Sequence, residues 1–257
     1  MGVRLAGKVA LVTGGGSGLG RATAVLFAEE GAAVGAFDID AAGAQETARL
    51  IESAGGKALA LTGDVTLEDD VKRAVERTAA SLGNIDVLAA CAGIEGPMGQ
   101  ITDTDVDSWD RVMAVNVKGV FLSAKHVIPG MKRGGGGTIV IIASDSSFVA
   151  GEGMAPYCAS KGAVLMLTKA LAVDHAADGI RVNCVCPSIA DTPMVRREVG
   201  AGPDDDLSNF GLAGLDINSP EDVARHMLFL ASDESANMNG AAQIVDFGSL
   251  ARSTLPI

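Results

Sequence analysis

Apolar residues in this chain gather into short unbroken runs, separated by longer stretches with a helical period. Residues 9–13, 33–38, 57–62, 87–91, 138–143, 180–184 and 243–246 read as strands. Runs this short and this continuous mark strands buried on both faces. Between them lie helical stretches, among them 21–28, 41–54, 105–132 and 156–178. Strand and helix in strict alternation predict an α/β fold: parallel strands, right-handed crossovers, and helices on both faces of a doubly wound sheet. No linker or internal repeat interrupts the pattern, so residues 1–257 are expected to form a single domain. One segment, 188–218, breaks the rhythm with several glycines and Asp204-Asp205-Asp206. A connection that long is a mobile or functional element, either a lid over a site or a solvated insertion.

The first strand runs into Gly14-Gly15-Gly16-Ser17-Gly18-Leu19-Gly20, and an alanine-rich helical stretch follows. Strand, glycine turn and helix together are the context a nucleotide-binding loop requires. Glycine lets backbone approach a pyrophosphate, and the helix start offers unpaired N–H groups and partial positive charge. The second strand ends in Asp38, eighteen residues past Gly20. An acid there accepts hydrogen bonds from the ribose hydroxyls of NAD and repels the extra phosphate of NADP. Asp40 is the better placed of the two for capping the following helix. NAD is therefore the expected cofactor.

Tyr157 is the only tyrosine and stands four residues before Lys161. Four residues apart, the two side chains share a helix face. A cation beside a phenol lowers its pKa and lets it exchange protons with an alcohol or carbonyl. Taken alone the pair fits an ordinary helix surface as well, and the rest of the chain decides between the two.

The chain resembles the short-chain dehydrogenase/reductase family over about residues 5 to 250. Thr13, Gly14, Gly18 and Gly20 match its glycine pattern, Tyr157 and Lys161 its Tyr-x-x-x-Lys, and Asn116 and Gly119 its Asn-x-x-Gly. Ser144, thirteen residues before Tyr157, stands where the family places its serine. Asp64-Val65 matches an adenine-contacting pair, and Pro187 and Thr192 match a loop beside the nicotinamide. Two departures occur: Ala90-Cys91-Ala92-Gly93 stands in place of Asn-Asn-Ala-Gly, and Ser188 replaces a glycine. The resemblance implies a Rossmann fold with a seven-stranded sheet, a homotetramer, and a segment 188–218 that covers the substrate. It implies that Asn116, Ser144, Tyr157 and Lys161 are catalytic. It implies cofactor contacts from Gly14, Ser17, Gly18, Leu19, Gly20, Asp38, Ile39, Asp64, Val65, Ala92, Gly93, Tyr157, Lys161, Pro187, Ile189 and Thr192. The expected reaction moves a hydride between NAD(H) and a secondary alcohol or ketone. Tyr157 serves as acid/base, Ser144 donates to the substrate oxygen, and Asn116 holds a relay water.

Composition narrows the partners. The chain is 48% hydrophobic, carries 33 glycines without a repeat, and has a net charge of −12. It lacks the basic face that nucleic acid needs and any run long enough for a membrane span. No targeting segment opens it, which points to the cytoplasm. Arg111, Lys118, Lys125 and Lys132 recur every seven residues and suggest a charged helix edge or a local basic patch. Cys91, Cys158, Cys184 and Cys186 show no metal-ligand spacing and read as buried free thiols. His126, His175 and His226 are scattered, with no carboxylate or cysteine partner evident, so no metal site is expected. Glu95, Met98, Ser146, Phe148, Glu152 and Met154 are expected to flank the substrate. With no basic anchor among them, a neutral secondary alcohol or ketone fits better than a phosphorylated one. Two alternatives stand beside this: a 3-oxoacyl thioester (acyl carrier protein) reductase and a catalytically idle nucleotide-binding protein.

Overall fold

The structure, a computed structural model, describes residues 3–212 and 214–251. Seven strands form one sheet: β1 (Val9–Thr13), β2 (Ala33–Asp38), β3 (Lys57–Thr62), β4 (Val87–Ala90), β5 (Gly137–Ile142), β6 (Ile180–Pro187) and β7 (Ala242–Val245). Their order is β3-β2-β1-β4-β5-β6-β7, with every neighbouring pair parallel. The chain winds outward from β1 to β3, then returns to lay β4 on the other side of β1. At that switch the loops leaving β1 and β4 diverge and open a crevice at the strands' carboxyl ends.

Side chains alternate across each strand and feed two separate cores. Leu11 packs on one face with Leu88, Ile139, Ile141 and Val182. Its neighbours Ala10 and Val12 pack on the other with Val34, Ala89, Val140 and Ile142. Helices α1 (Gly18–Glu29) and α2 (Ala41–Ser53) follow β1 and β2. Helix α3 (Glu68–Leu82), then α4 (Val106–Met113), α5 (Gly119–Gly134) and α6 (Ala155–Asp174) come next in the chain. Helices α7 (Pro193–Val199) and α8 (Pro220–Ala231) complete the set. Residues of α3, α5 and α6 join the first core, and residues of α1 and α8 join the second.

The structure differs from the sequence reading in several places. The helix expected over 105–132 is two helices joined by a π turn, Ala114–Lys118. The helix expected to reach residue 178 ends at Asp174, and a 3-10 turn, Ala176–Asp178, follows. The segment 188–218 is not wholly irregular, since it holds α7, a 3-10 turn at Leu207–Phe210 and a bridge between Ala190 and Asn218. The charged edge divides: Lys125 pairs with Glu68 at 2.6 Å and Lys132 with Asp178 at 2.9 Å. Two histidines do have carboxylate partners, His126 with Glu68 at 3.1 Å and His175 with Asp178 at 2.9 Å. Both partners are remote from the histidine or on a following turn, where linear order does not display the contact.

Candidate active site

Helix α1 begins at Gly18 with an unusual start. Its N-cap, Ser17, makes no side-chain capping bond, and the first turn carries no acidic residue. The first N–H groups are therefore not spent on the protein's own carboxylates or hydroxyls, which leaves them for an anion. Clearance explains the glycines before them. A methyl at Gly14, whose φ is 67°, would stand 2.8 Å from the Ala92 Cα, and one at Gly20 would overlap the Gly14 carbonyl. The loop can lie flat against the segment leaving β4 only because those side chains are missing. Its shape and free donors fit the pyrophosphate of a dinucleotide.

Asp38 ends β2 beside this loop. Its carboxylate accepts the Gly16 N–H at 2.8 Å and the Asp40 N–H at 2.9 Å. Asp40 itself caps α2 by accepting the Ala42 N–H at 3.0 Å. Ile39 is exposed beside them. Asp64 accepts the Thr66 N–H at 2.8 Å, and Val65 packs so closely on Gly119 that a methyl there would meet it at 2.9 Å.

Both departures from the family pattern are locally accommodated. The Cys91 N–H bonds the Thr13 carbonyl at 3.2 Å, and the Ala92 N–H bonds Thr13 Oγ1 at 3.3 Å. Backbone and a threonine thus hold this segment without the two amides. Burial pushes the Cys91 thiol up to about 12, so it remains neutral. Ser188 needs no glycine conformation, because Phe247 is the only described non-glycine residue with positive φ. Instead Asn218, fully buried, donates to Ser188 Oγ at 3.2 Å, Ile189 O at 3.3 Å and Val245 O at 3.1 Å. Thr192 caps α7 by accepting the Val195 N–H at 3.3 Å.

At the far end stand Ser144, Tyr157 and Lys161. Ser144 leaves the end of β5 and is 6% exposed, while Lys161 is 4% exposed on α6. The Lys161 Nζ lies 5.6 Å from the Tyr157 ring centroid, so the two share a face as expected. Its hydrogen bond, however, goes to the Ile142 carbonyl at 2.8 Å. Burial pulls the lysine down to about 8. Burial also pushes the Tyr157 phenol above its ordinary value; a hydrogen bond with Ser144 opposes this, and the charges of Glu95 and Asp145 add to it.

Asn116 sits in the π turn, 1% exposed. Its Oδ1 accepts the Ile94 N–H at 2.8 Å, and its Nδ2 donates to Ile94 O at 2.8 Å and to Ser160 Oγ at 2.9 Å. The amide therefore pins the loop leaving β4 to the helix behind it. Gly93, one residue earlier, lies under both Asn116 Oδ1 and Lys161 Nζ, so a methyl there would come 3.4 Å from one and 3.8 Å from the other.

A cavity of about 810 Å³ takes in every sequence-expected catalytic and cofactor residue except Asn116, which lies behind its wall. Of the expected substrate-flanking residues, Glu95, Ser146 and Met154 line it. Met98 lines a smaller neighbouring cavity of about 260 Å³, and Phe148 and Glu152 line neither. The sequence reading missed Arg111, Asp145 and Arg197 on the main wall. Two of these are basic, so cations reach the cavity from outside the segments expected to flank the substrate, which carry no basic anchor. Neither arginine makes an ion pair among the described residues. The nearest signal for Arg111 was its place in the seven-residue charge repeat. Arg197 had none. Glu95 is pushed up to about 8 by burial and by its hydrogen bond with Glu198.

Parallel strands, a glycine turn at the topological switch and a cavity at the strand ends define a Rossmann-type nucleotide-binding protein. The chain belongs to the short-chain dehydrogenase/reductase family, whose members are oxidoreductases that use a nicotinamide cofactor. A family described as enoyl-(acyl carrier protein) reductase matches residues 14–249. The chain is similar to cis-4-hydroxycyclohexanecarboxylate dehydrogenase of Sinomonas cyclohexanicum, at 43% identity over 96% of this chain and 98% of the relative. It is similar to 2-(R)-hydroxypropyl-CoM dehydrogenase of Xanthobacter autotrophicus, at 42% identity over 93% and 97%. Among solved structures, levodione reductase superposes with a TM-score of 0.92, at 31% identity over 97% of this chain and 100% of the other.

Proposed function

We propose that the chain is an NAD-dependent oxidoreductase that moves a hydride between NAD(H) and a secondary alcohol or ketone. The observation that carries this reading is one cavity whose wall joins the glycine loop and Asp38 to Ser144, Tyr157 and Lys161. When bound, the nicotinamide supplies the hydride chemistry. Tyr157 takes the hydroxyl proton in oxidation and returns it in reduction. Ser144 donates to the substrate oxygen, where negative charge accumulates. Lys161, 5.6 Å from the tyrosine ring, would donate to the nicotinamide ribose, and its charge would favour the phenolate. Asp38 receives the adenosine ribose hydroxyls and disfavours a phosphate in their place.

The name cis-4-hydroxycyclohexanecarboxylate dehydrogenase pairs a ring alcohol with a carboxylate. Arg111 and Arg197 supply cations for such an acidic tail, and favour it over the neutral substrate expected from sequence. Met194, Val195 and Arg197 of α7 reach the same wall, which supports segment 188–218 as the substrate cover of a single-domain protein. Among the described residues no helix is long and apolar enough to cross a membrane. The net charge of −12 supports the absence of nucleic-acid partners. Exposed Phe121, Met166 and Val173 on α5 and α6 support a homotetramer. The acyl carrier protein reading is weakened by the acidic surface, and the idle reading by the intact Ser144, Tyr157 and Lys161.

The deciding experiment is a panel of cyclic and acyclic secondary alcohols, with and without a carboxylate, run with NAD and NADP. NADH formation that requires Tyr157 is the expected result. No turnover with any alcohol or ketone, despite measurable NAD binding, would leave the idle reading standing.

A further inference from the structure

The glycine loop faces two ways. Gly14, Ser17, Gly18, Leu19 and Gly20 line the cavity, whereas Gly15 and Gly16 do not, and both are buried. Every backbone polar group of that turned-back pair is held. The Gly15 N–H bonds the Phe37 carbonyl at 3.1 Å, and the Gly16 N–H bonds Asp38 Oδ2 at 2.8 Å. The Gly15 carbonyl accepts the Thr47 hydroxyl at 2.7 Å, and the Gly16 carbonyl accepts Arg21 Nη2. Strand β2 thus holds the two N–H groups, and side chains from α1 and α2 hold the two carbonyls.

Thr47 and Arg21 also bond each other. Arg21 Nε donates to Thr47 Oγ1 at 3.1 Å, which occupies a lone pair and leaves the hydroxyl hydrogen to point away. A mid-helix threonine ordinarily gives that hydrogen to the carbonyl four residues back. Gly43 offers its carbonyl at 3.0 Å, but Gly15 lies closer, so the loop takes a share of the helix's own bond. Thr47 is fully buried, Arg21 is half-buried, and neither lines the cavity. Arg21 makes no ion pair among the described residues. Its guanidinium reaches the Gly16 and Gly43 carbonyls instead. The contact between α2 and the loop has no slack, since a methyl at Gly43 would stand 2.8 Å from the Gly16 carbonyl oxygen.

Resting on the glycine loop and Asp38 as the adenosine end of an NAD site, we propose that Thr47 and Arg21 are positioning residues for the cofactor. Gripping Gly15 and Gly16 from behind, they fix where the free N–H groups at the start of α1 stand. They also keep the Gly16 N–H aimed at Asp38. That bond and the one from the Asp40 N–H orient the carboxylate that meets the ribose. Without the grip the loop keeps its glycines and its clearance but loses its set position, and the cofactor must order it on binding.

Calorimetry with NAD and with ADP-ribose reads this end of the site without substrate or turnover. ADP-ribose carries the pyrophosphate and the adenosine ribose and lacks the nicotinamide. The test compares wild type with Thr47→Val, which keeps the shape and removes the hydroxyl, Thr47→Ser, which keeps the hydroxyl, and Arg21→Met. Thermal melting without ligand checks each fold. Thr47→Val and Arg21→Met should each weaken NAD by about three- to tenfold, the weight of one or two hydrogen bonds, and ADP-ribose by the same factor. Thr47→Ser should bind both within about twofold of wild type. A brace that served only the packing of α1 on α2 would lower the melting temperature and leave both affinities of the folded variants at the wild-type value; that result overturns the proposal. So does NAD binding that weakens while ADP-ribose binding does not, or a Thr47→Ser as weak as Thr47→Val. If Thr47→Val does not fold, Arg21→Met decides by the same criterion. Wild type that binds neither ligand defeats the cofactor reading and this proposal together. Wild type that binds NAD but oxidises no alcohol defeats the reaction alone and leaves the affinities to decide this one.

Discussion

The two ends of the cavity are built from different materials. At the glycine end the functional groups are backbone, and what shapes them is the absence of side chains at Gly14 and Gly20. At the tyrosine end the functional groups are side chains: Tyr157 is half-buried, and Ser144, Lys161 and Asn116 are buried and hydrogen-bonded. Lys161 reaches back to β5, Asn116 to the loop after β4, and Ser144 to its neighbour Asp145. Damage at the first end should be steric and felt first in cofactor binding. Damage at the second should be chemical and felt first in turnover.

The largest effect should come from Tyr157→Phe, which keeps the ring's volume and removes the oxygen. Turnover should fall by roughly 10²–10⁴-fold, the usual weight of a general acid/base, while calorimetry finds NAD affinity nearly unchanged. A variant keeping a tenth of wild-type activity would break the division between the ends. Next comes Gly14→Ala, where a left-handed backbone and contact with Ala92 combine. A loss of about 1–3 kcal/mol in stability is expected, read by denaturant melts, with weaker cofactor binding. Normal NAD affinity in that variant would show that clearance is not what the glycine provides.

Asp38→Ala should act more gently, because it removes a charge and one loop hydrogen bond, from the Gly16 N–H, but adds no clash. The preference for NAD over NADP should narrow by about tenfold in paired binding titrations. Wild type that binds NADP more tightly would refute the assignment of Asp38. Smallest is Arg197→Met, expected to raise KM a few-fold for a carboxylate-bearing alcohol and leave a neutral one unaffected. Equal effects on both would mean that the arginine shapes the wall without reading charge.

Legibility in the sequence follows the same division. β1 and β2 coincide with the expected runs because strands covered on both faces leave unbroken apolar stretches, and β3 coincides too although it is an edge strand with Lys57 and Thr62 exposed. The glycine loop is equally legible, since its function rests on local backbone. Tyr157 and Lys161 could be paired because one helix carries both. What could not be read were contacts made across the fold. Nothing near Lys161 announces Ile142 as its partner, and nothing near Ser188 announces Asn218. Arg197 entered the cavity from the segment with the weakest pattern. The π turn left no compositional trace because its five residues, Ala114-Val115-Asn116-Val117-Lys118, suit an ordinary helix as well.

That turn has a consequence for how the chain tolerates change. An α-helix advances about 100° per residue, so a π turn acts as a phase shift between the helices it joins. Here it lets α5 keep its apolar side on the sheet while α4 brings Arg111 round to the cavity. Deleting one residue from 114–118 would make the helix more regular and locally better bonded. It would also rotate one half against the other by more than a quarter turn, carrying Asn116 off Ile94 or Arg111 off the wall. A repair by the standards of helix geometry would be an injury to the site.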